Sequence, residues 1–504
     1  INPRLPVEQF GYIVNHAKCK VLIVEHAEQW AKVEGQLDTL ACSAVVAMKN
    51  PGVTHESLLS WDDFLAKGEG VSDEDFDARL EGIKGEDLAQ LIYTSGTTGP
   101  PKGVMLTHEN LSWTASQIKH AFDLGPWART LSYLPLSHIA EQMFSIHGPI
   151  SLGFQVFFAE SLDKLPDNLK EARPTIFFGV PRIWEKFYAK LSTGMAAATG
   201  VKAKLLSWAR GVGEKWSHHK MYGTSPGAGL KLQYGLAHKL IFSKVRNAIG
   251  FDDADYFVSG AAPVSADILR FFASLDMLVY EVYGQSEDCG PTTLNVPGAT
   301  RLGSVGPAFP GVTVKIADDG EILAKGANIT SGYLNRPDAT AEAFDDEGWF
   351  HTGDLGSMDS DGFVKITGRK KELMKTSGGK YIAPAKLEAY LKNLTIVQEA
   401  VTVADTRNYA TALIAIDPEE LQEWATQTGN AADPQSKAVR DAVQAHVDEV
   451  NKKLASFETV KAFEIVPPMT VESGLLTASL KVKRSVVYDR YADLIDSLYE
   501  KSAG

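Results

Sequence analysis

The sequence predicts an α/β protein of more than one domain, and three observations lead there. Short apolar runs alternate with helix-forming stretches at residues 21–25, 44–48, 131–134, 155–158 and 176–179, which is the rhythm of a doubly wound parallel sheet. Residues 303–365 are turn-rich with short strands and predict a small β subdomain. After Gly368 the character changes again, to a compact α+β pattern. The expected architecture is a large N-terminal domain over residues 1–368 and a smaller C-terminal domain over residues 369–504.

Taken in order, residues 21–25 (Val-Leu-Ile-Val-Glu) and 44–48 open the alternation. Residues 68–87 are acidic and loop-like. Residues 88–93 form an apolar run that fits a buried strand, and residues 103–106 return to apolar character after a polar loop. Residues 131–134 and 155–158 also read as buried strands. Residues 180–247 hold many helix formers, with Trp184, Trp208, Trp216 and Tyr234 repeated through them and Ser, Pro and Gly at 223–229; they predict helix, loop, helix, with the aromatics packed on the domain body. Strands follow at 255–259, 278–281 and 312–316, then at 320–324 after the turn Asp318-Asp319-Gly320. Turns at 345–348 and 359–362 break up the β subdomain. In the C-terminal part, 385–392 and 436–456 read as helices and 400–404 and 410–416 as strands.

Composition narrows the function. The chain has 504 residues, 44% hydrophobic and 22% charged, an ordinary globular balance. A net charge of −13 argues against general nucleic-acid binding but leaves room for a local basic nucleotide site. Cys19, Cys42 and Cys289 form neither a metal spacing nor a disulfide framework, which suits the cytoplasm. No uninterrupted apolar run reaches 18 residues, so no spanning helix is indicated, and peripheral membrane association stays open. His218-His219 and His138 with Glu141 read as surface polar clusters rather than metal sites.

The densest chemistry lies at residues 93–103, Tyr-Thr-Ser-Gly-Thr-Thr-Gly-Pro-Pro-Lys-Gly. Thr94, Ser95, Thr97 and Thr98 are hydroxyl donors, Gly96 and Gly99 let backbone N–H groups turn toward an anion, and Lys102 adds a point charge. The combination points to phosphate binding over a plain polar loop. It is not a Walker A loop, because Pro100 and Pro101 separate Gly99 from Lys102 and Gly103 follows the lysine.

This stretch resembles the phosphate-binding signature of the adenylate-forming enzymes, a family of acyl-CoA synthetases, luciferases and peptide-synthetase adenylation domains. Further motifs fall in the family's order. Ser259-Gly260-Ala261-Ala262-Pro263 resembles its adenine wall. Tyr283-Gly284-Gln285-Ser286-Glu287 resembles its Tyr-Gly-x-Ser/Thr-Glu motif, and the resemblance implies that Glu287, with Thr98, holds Mg2+. Asp354, in Thr352-Gly353-Asp354, implies a ribose contact; by itself it also fits a β-turn. Arg369 implies a ribose and phosphate contact, and Lys371 the hinge about which the C-terminal domain moves. Ser377, Gly378 and Gly379 resemble the loop lining the CoA tunnel. Pro135-Leu136-Ser137-His138 resembles the carboxylate motif, which implies His138 at the acyl pocket; a core or surface histidine is the alternative. The last motif, residues 475–484, implies Lys481 as the catalytic lysine. Ala478 stands where the family has Pro and Leu480 where most subfamilies have Gly, so Lys483 is the competing assignment.

The wording of residues 180–186 and 240–246 is similar to long-chain fatty-acyl-CoA synthetases. The resemblance therefore implies a long-chain fatty-acid–CoA ligase, with ATP and CoA as co-substrates, Mg2+ as cofactor, and Lys102, Glu287 and Lys481 as catalytic residues. Alternatives are a ligase that loads a carrier protein and a non-catalytic acyl or nucleotide binder. Residue 1 aligns well inside the family's N-terminal domain, so about 100 opening residues are expected to be missing.

Overall fold

The computed structural model describes residues 1–2, 5–94, 100–477 and 481–500. At its centre Ile176–Gly179, Tyr256–Ser259 and Val279–Tyr283 pair in parallel, with Thr293–Leu294 antiparallel on the edge. Alternate residues enter two cores. Phe177, Phe257 and Val279 pack with Trp184, Phe251 and Phe272 on one side. Ile176, Phe178, Val258 and Tyr280 pack with Phe154, Phe309 and Ile322 on the other. Burial on both faces is why these strands are continuous apolar runs rather than alternating ones. A second parallel sheet joins Val21–Val24, Ala44–Ala47 and Leu58–Ser60. The α/β fold class expected from the sequence is the one observed.

Four local expectations need correction. Leu88–Thr94 is not a buried strand; it pairs antiparallel with Lys102–Thr107, and Ile92 is its one buried residue. A two-stranded hairpin offers one face to the core, here with Val104 and Leu106, and leaves the other half-exposed. Gln155–Phe158 pairs with Arg129–Ser132 at the outside of a two-stranded sheet, and Phe158 is 70% exposed. The acidic stretch 68–87 contains a helix, Asp73–Glu81. Ser72 caps it by accepting from the Asp75 N–H, and Asp73, Glu74 and Asp75 occupy the first turn, where the helix dipole favours anions. The stretch 180–247 is four α-helices, Pro181–Ala196, Gly200–Tyr222, Ala228–Ala237 and Ser243–Ile249, with a π turn at His238–Phe242. Its aromatics do pack inward: Trp184 is fully buried and Trp216 stacks on Tyr234 at 3.8 Å.

The β subdomain is a four-stranded antiparallel sheet of Thr313–Ile316, Glu321–Lys325, Phe350–Met358 and Val364–Arg369. Beyond it, Val397–Val403, Ala410–Ile416 and Val460–Val466 form a three-stranded sheet. The middle strand is buried along its length. Helix Lys437–Asn451 covers it with Val439, Val443, Val447 and Val450, one stripe at helical spacing. The two parts of the chain meet through Arg182–Asp417 at 2.5 Å and Lys453–Asp267 at 2.6 Å. Among the described residues, no helix is long and apolar enough to cross a membrane.

Candidate active site

Asp354 is the hub. It lies on Phe350–Met358 directly across from Arg369 on Val364–Arg369, so strand register alone brings the two together. Arg369 Nε donates to Asp354 Oδ1 at 2.8 Å. Tyr283 Oη donates to Oδ2 at 2.8 Å, and Gln285 Nε2 donates to the same oxygen at 2.6 Å. The Asp354 N–H is held by Thr352 Oγ1 at 3.1 Å. A carboxylate so buried and so fully provided with donors is a fixed anion with room for one more. Burial and the neighbouring Asp354 charge push the Tyr283 phenol far up, so it stays a donor.

Glu287 sits one short turn away, in Ser286–Asp288. Tyr333 Oη donates to its Oε1 at 2.9 Å, while Lys102 Nζ stands 4.7 Å from the centre of the Tyr333 ring. One tyrosine thus touches both a carboxylate and the lysine of the opening hairpin. Burial raises the Glu287 carboxyl, and the Arg369 and Lys102 charges oppose that rise. Asp288 is pushed up to about 8 by burial, although the Gln285 N–H (2.7 Å) and the Thr292 hydroxyl donate to it. Glu281 is pushed up to about 8 for the same reason. Gly284 cannot be replaced here: a Cβ would fall 1.4 Å from the Gly290 carbonyl oxygen.

Lys481 approaches this cluster from the C-terminal domain. Thr477 N–H donates to the Lys481 carbonyl at 2.7 Å and Lys481 N–H donates to Thr477 Oγ1 at 3.0 Å, tying the two residues together. Crowding lowers the Lys481 ammonium, and Arg369 lowers it further, while Asp354, Glu372 and Glu287 pull it back up. The residue keeps accessible surface, so these groups surround a cleft open to water. His138 also faces this lysine: burial, then the Lys481 charge, hold it down at about 4. It is neutral near pH 7. Its Nδ1 accepts from the Ala140 N–H at 3.2 Å, which leaves the proton on Nε2. Lys483 instead precedes the helix Arg484–Arg490, where Arg484 is tied to Glu388 at 2.7 Å.

The structure therefore gathers Lys102, Tyr283, Gln285, Glu287, Asp354, Arg369, Lys481 and His138. Thr94 is the strand partner of Lys102. Ser95, Gly96, Thr97, Thr98 and Gly99 lie outside the described residues. Gly260 follows Tyr256–Ser259 and is buried, and a Cβ there would meet Val282 Cγ1 at 2.6 Å. Ala261 next to it has φ of 71°, a conformation costly for a residue with a Cβ, and Ala262 is exposed beside it. Ser286 is half-buried at the start of the Glu287 turn. Ser377, Gly378 and Gly379 form an exposed turn between Met374–Lys375 and Tyr381–Ile382, with Ser377 Oγ donating to Asn408 Oδ1 at 2.6 Å. Lys371 is exposed at the turn after Val364–Arg369.

Sequence reasoning missed Tyr333 and Lys370. Tyr333 belongs to no regular strand; Met105 N–H donates to Gly332 and Leu334 N–H to Gly103, which seats it beside the hairpin. Lys370 binds Asp319 at 2.6 Å and Glu321 at 2.9 Å, anchoring the chain just before Lys371. Its signal was the adjacent lysine pair, whose partners lie about 50 residues away in sequence.

A cleft shared by two domains, with cations and carboxylates interleaved, suits an anionic substrate. The chain belongs to the AMP-binding enzyme family: the family's enzyme domain matches residues 1–334 and the AMP-binding enzyme C-terminal domain matches residues 371–503. It is similar to the long-chain-fatty-acid–CoA ligase ACSBG2 of Xenopus laevis, at 36% identity over 98% of this chain and 71% of that protein. It is 34% identical to the Homo sapiens ACSBG2, over 97% of this chain and 78% of that one. The long-chain-fatty-acid–CoA ligase FadD15 of Mycobacterium bovis is 35% identical, over 98% of this chain and 82% of its own. Among solved structures, the adenylation domain of a Mycobacterium chelonae carboxylate reductase superposes with a TM-score of 0.74 at 22% identity, covering 99% of this chain and 76% of that one, which bears on the fold alone.

Proposed function

We propose that this protein is an AMP-forming ligase that converts a long-chain fatty acid to its acyl-CoA. The observation that carries the reading is the placement of Lys481, from the C-terminal domain, within electrostatic reach of Arg369, Asp354 and Glu287. The acyl class is supported by the relatives named above.

In the first step a carboxylate oxygen attacks the α-phosphorus of ATP, pyrophosphate leaves, and a mixed anhydride, acyl-AMP, forms. Both reactants are anions, so catalysis is mainly positioning and charge neutralisation. Asp354 would accept from ribose hydroxyls, with Tyr283, Gln285 and Arg369 holding it still. Lys102 and the loop 94–99 would bind the phosphates, and Gly260 to Ala262 with Tyr283 to Ser286 would line the adenine site. Lys481, its charge disfavoured by crowding and by Arg369, gains when two anions arrive beside it. His138, neutral with a proton on Nε2, can donate to the acyl carboxylate without adding charge.

The residues also fit Mg2+. Glu287 is a buried hard-oxygen ligand beside the proposed phosphate site, and a cation that keeps water and phosphate oxygens needs few protein ligands. Glu287 would hold it, with Thr98, and it would supply positive charge against the phosphates. In the second step the CoA thiolate attacks the acyl carbonyl and AMP leaves; Ser377, Gly378 and Gly379 would line its path once the C-terminal domain has turned about Lys371. The free cysteines suit a cytoplasmic setting.

The test is incubation with palmitate and ATP, with and without CoA. Palmitoyl-CoA and AMP are expected only when CoA is present. Acyl-AMP that CoA does not consume would favour a carrier-protein ligase, and no AMP under either condition would overturn the enzyme reading.

A further inference from the structure

Charge is unevenly spread along this chain. Residues 180–247 hold 12 lysines and arginines against two acidic residues, Glu185 and Glu214, a net +10 within a chain of −13, so the remainder carries −23. Some of these cations are used internally: Arg182 pairs with Asp417, and Lys220 and Arg246 pair with the buried Asp276. Lys202, Lys204, Lys215, Lys231, Lys239 and Lys244 are exposed, and they enter none of the ion pairs among the described residues. A local field of this sign and density is not needed to hold the helices together.

Helix Ala228–Ala237 adds a second, independent feature. One side, Leu230, Tyr234 and Ala237, packs against Ala209, Val212 and Trp216 of the helix Gly200–Tyr222. The opposite side carries Leu232, 79% exposed, and Leu236, 51% exposed, one turn apart. Lys239 continues that line into the π turn and Lys231 flanks it. Two bare leucines between exposed lysines, on a helix fixed from behind, match an interfacial helix that lies in the plane of lipid headgroups.

We propose that this face docks on an anionic lipid surface, with Leu232 and Leu236 among the headgroups and the lysines on lipid phosphates. The −23 carried by the remainder would be repelled by the same surface, so charge orients the molecule with this face down. The choice of lipid over an acidic protein rests on the substrate proposed above, because a long acyl chain resides in bilayers. Docking beside that reservoir would shorten the substrate's path to the enzyme.

The experiment is co-sedimentation of the full chain with vesicles of phosphatidylcholine alone, or of phosphatidylcholine with phosphatidylglycerol, without ATP, fatty acid or CoA. Binding to the anionic vesicles is expected to be roughly 10-fold or more tighter and to weaken steeply with salt. The pair Lys231→Glu with Lys239→Glu and the pair Leu232→Ser with Leu236→Ser are each expected to weaken it at least about 10-fold, while thermal melting and acyl-CoA formation from a water-soluble medium-chain acid stay unchanged. No binding, equal binding to both vesicle types, or binding that either pair leaves unchanged overturns the proposal. Because no substrate is present, an inactive protein can still pass and an active enzyme can still fail, so this result and the acyl-CoA assay are read separately.

Discussion

At the scale of single residues, the cleft is built from groups that disturb each other. Asp354 is held by Tyr283, Gln285 and Arg369, and Arg369 in turn lowers the Lys481 ammonium that Asp354 and Glu287 raise. A lysine placed among these opposing charges is poised to respond when phosphate and carboxylate arrive. Lys481→Ala is therefore expected to lower the rate of acyl-AMP formation by roughly 100-fold or more, the usual cost of removing a positioned charge from a developing anion. Attack of CoA on supplied acyl-AMP should be nearly untouched, and Lys483→Ala should leave both steps close to normal. Single-turnover formation and consumption of acyl-AMP measures this, and the opposite pattern would transfer the role to Lys483. Both lysines are visible in the last motif of the sequence. The difference between them is tertiary: hydrogen bonds to Thr477 hold one beside the cleft, while the other leads into a helix fixed by Arg484 and Glu388. Tyr333 was not legible at all. Its partners Glu287 and Lys102 lie far off in sequence, and an isolated tyrosine after a glycine carries no periodicity that would signal them.

At the scale of elements, the link between the domains is a short turn with a firm near end. Lys370 is pinned to Asp319 and Glu321, and its N–H donates to the Gly353 carbonyl. Lys371, the next residue, is exposed, so rotation of the C-terminal domain can concentrate there. Lys371→Pro fixes φ near −65° at that point. It is expected to permit acyl-AMP formation and to slow thioester formation, whereas a bulky residue at Gly379, whose φ is +76° in the exposed turn, should impair only the thioester step. The readout is again the two half-reactions measured separately; equal loss of both in each variant would mean that the turn is not a hinge. The central strands were legible because burial on both faces makes them continuous apolar runs. The acidic helix Asp73–Glu81 was not, because it is exposed all round and its charge imitates a loop. The strand Val460–Val466 is interrupted by Lys461 and Glu464 and carries no clear strand signal, since only its pairing with Ala410–Ile416 reveals it.

At the scale of the whole molecule, the two domains are held in one arrangement by charge. Arg182, on the first helix of the long basic stretch, meets Asp417 at 2.5 Å and donates to the Val397 carbonyl at 3.4 Å. Lys392 and Glu399 stand 3.6 Å apart in the C-terminal domain, close enough to Arg182 and Glu185 for all four charges to interact. Lys453 reaches Asp267 at 2.6 Å. In this arrangement Lys481 faces Asp354 and Glu287, so any rotation that withdraws Lys481 must separate these pairs. The Arg182–Asp417 pair is largely buried, and losing it is expected to cost on the order of 1–3 kcal/mol, between an exposed and a fully buried pair. Arg182 is the better residue to change, because Asp417 also caps the helix Pro418–Thr428. Arg182→Gln should therefore shift the population away from the present arrangement, slowing acyl-AMP formation by about 10-fold while leaving CoA attack on supplied acyl-AMP unchanged or faster. Raising the salt concentration should move the unmodified protein in the same direction, since the exposed Lys453–Asp267 pair is screened. Equal slowing of both half-reactions in Arg182→Gln, with a lowered melting temperature, would show instead that the pair serves stability and does not select the arrangement that brings Lys481 to the cleft.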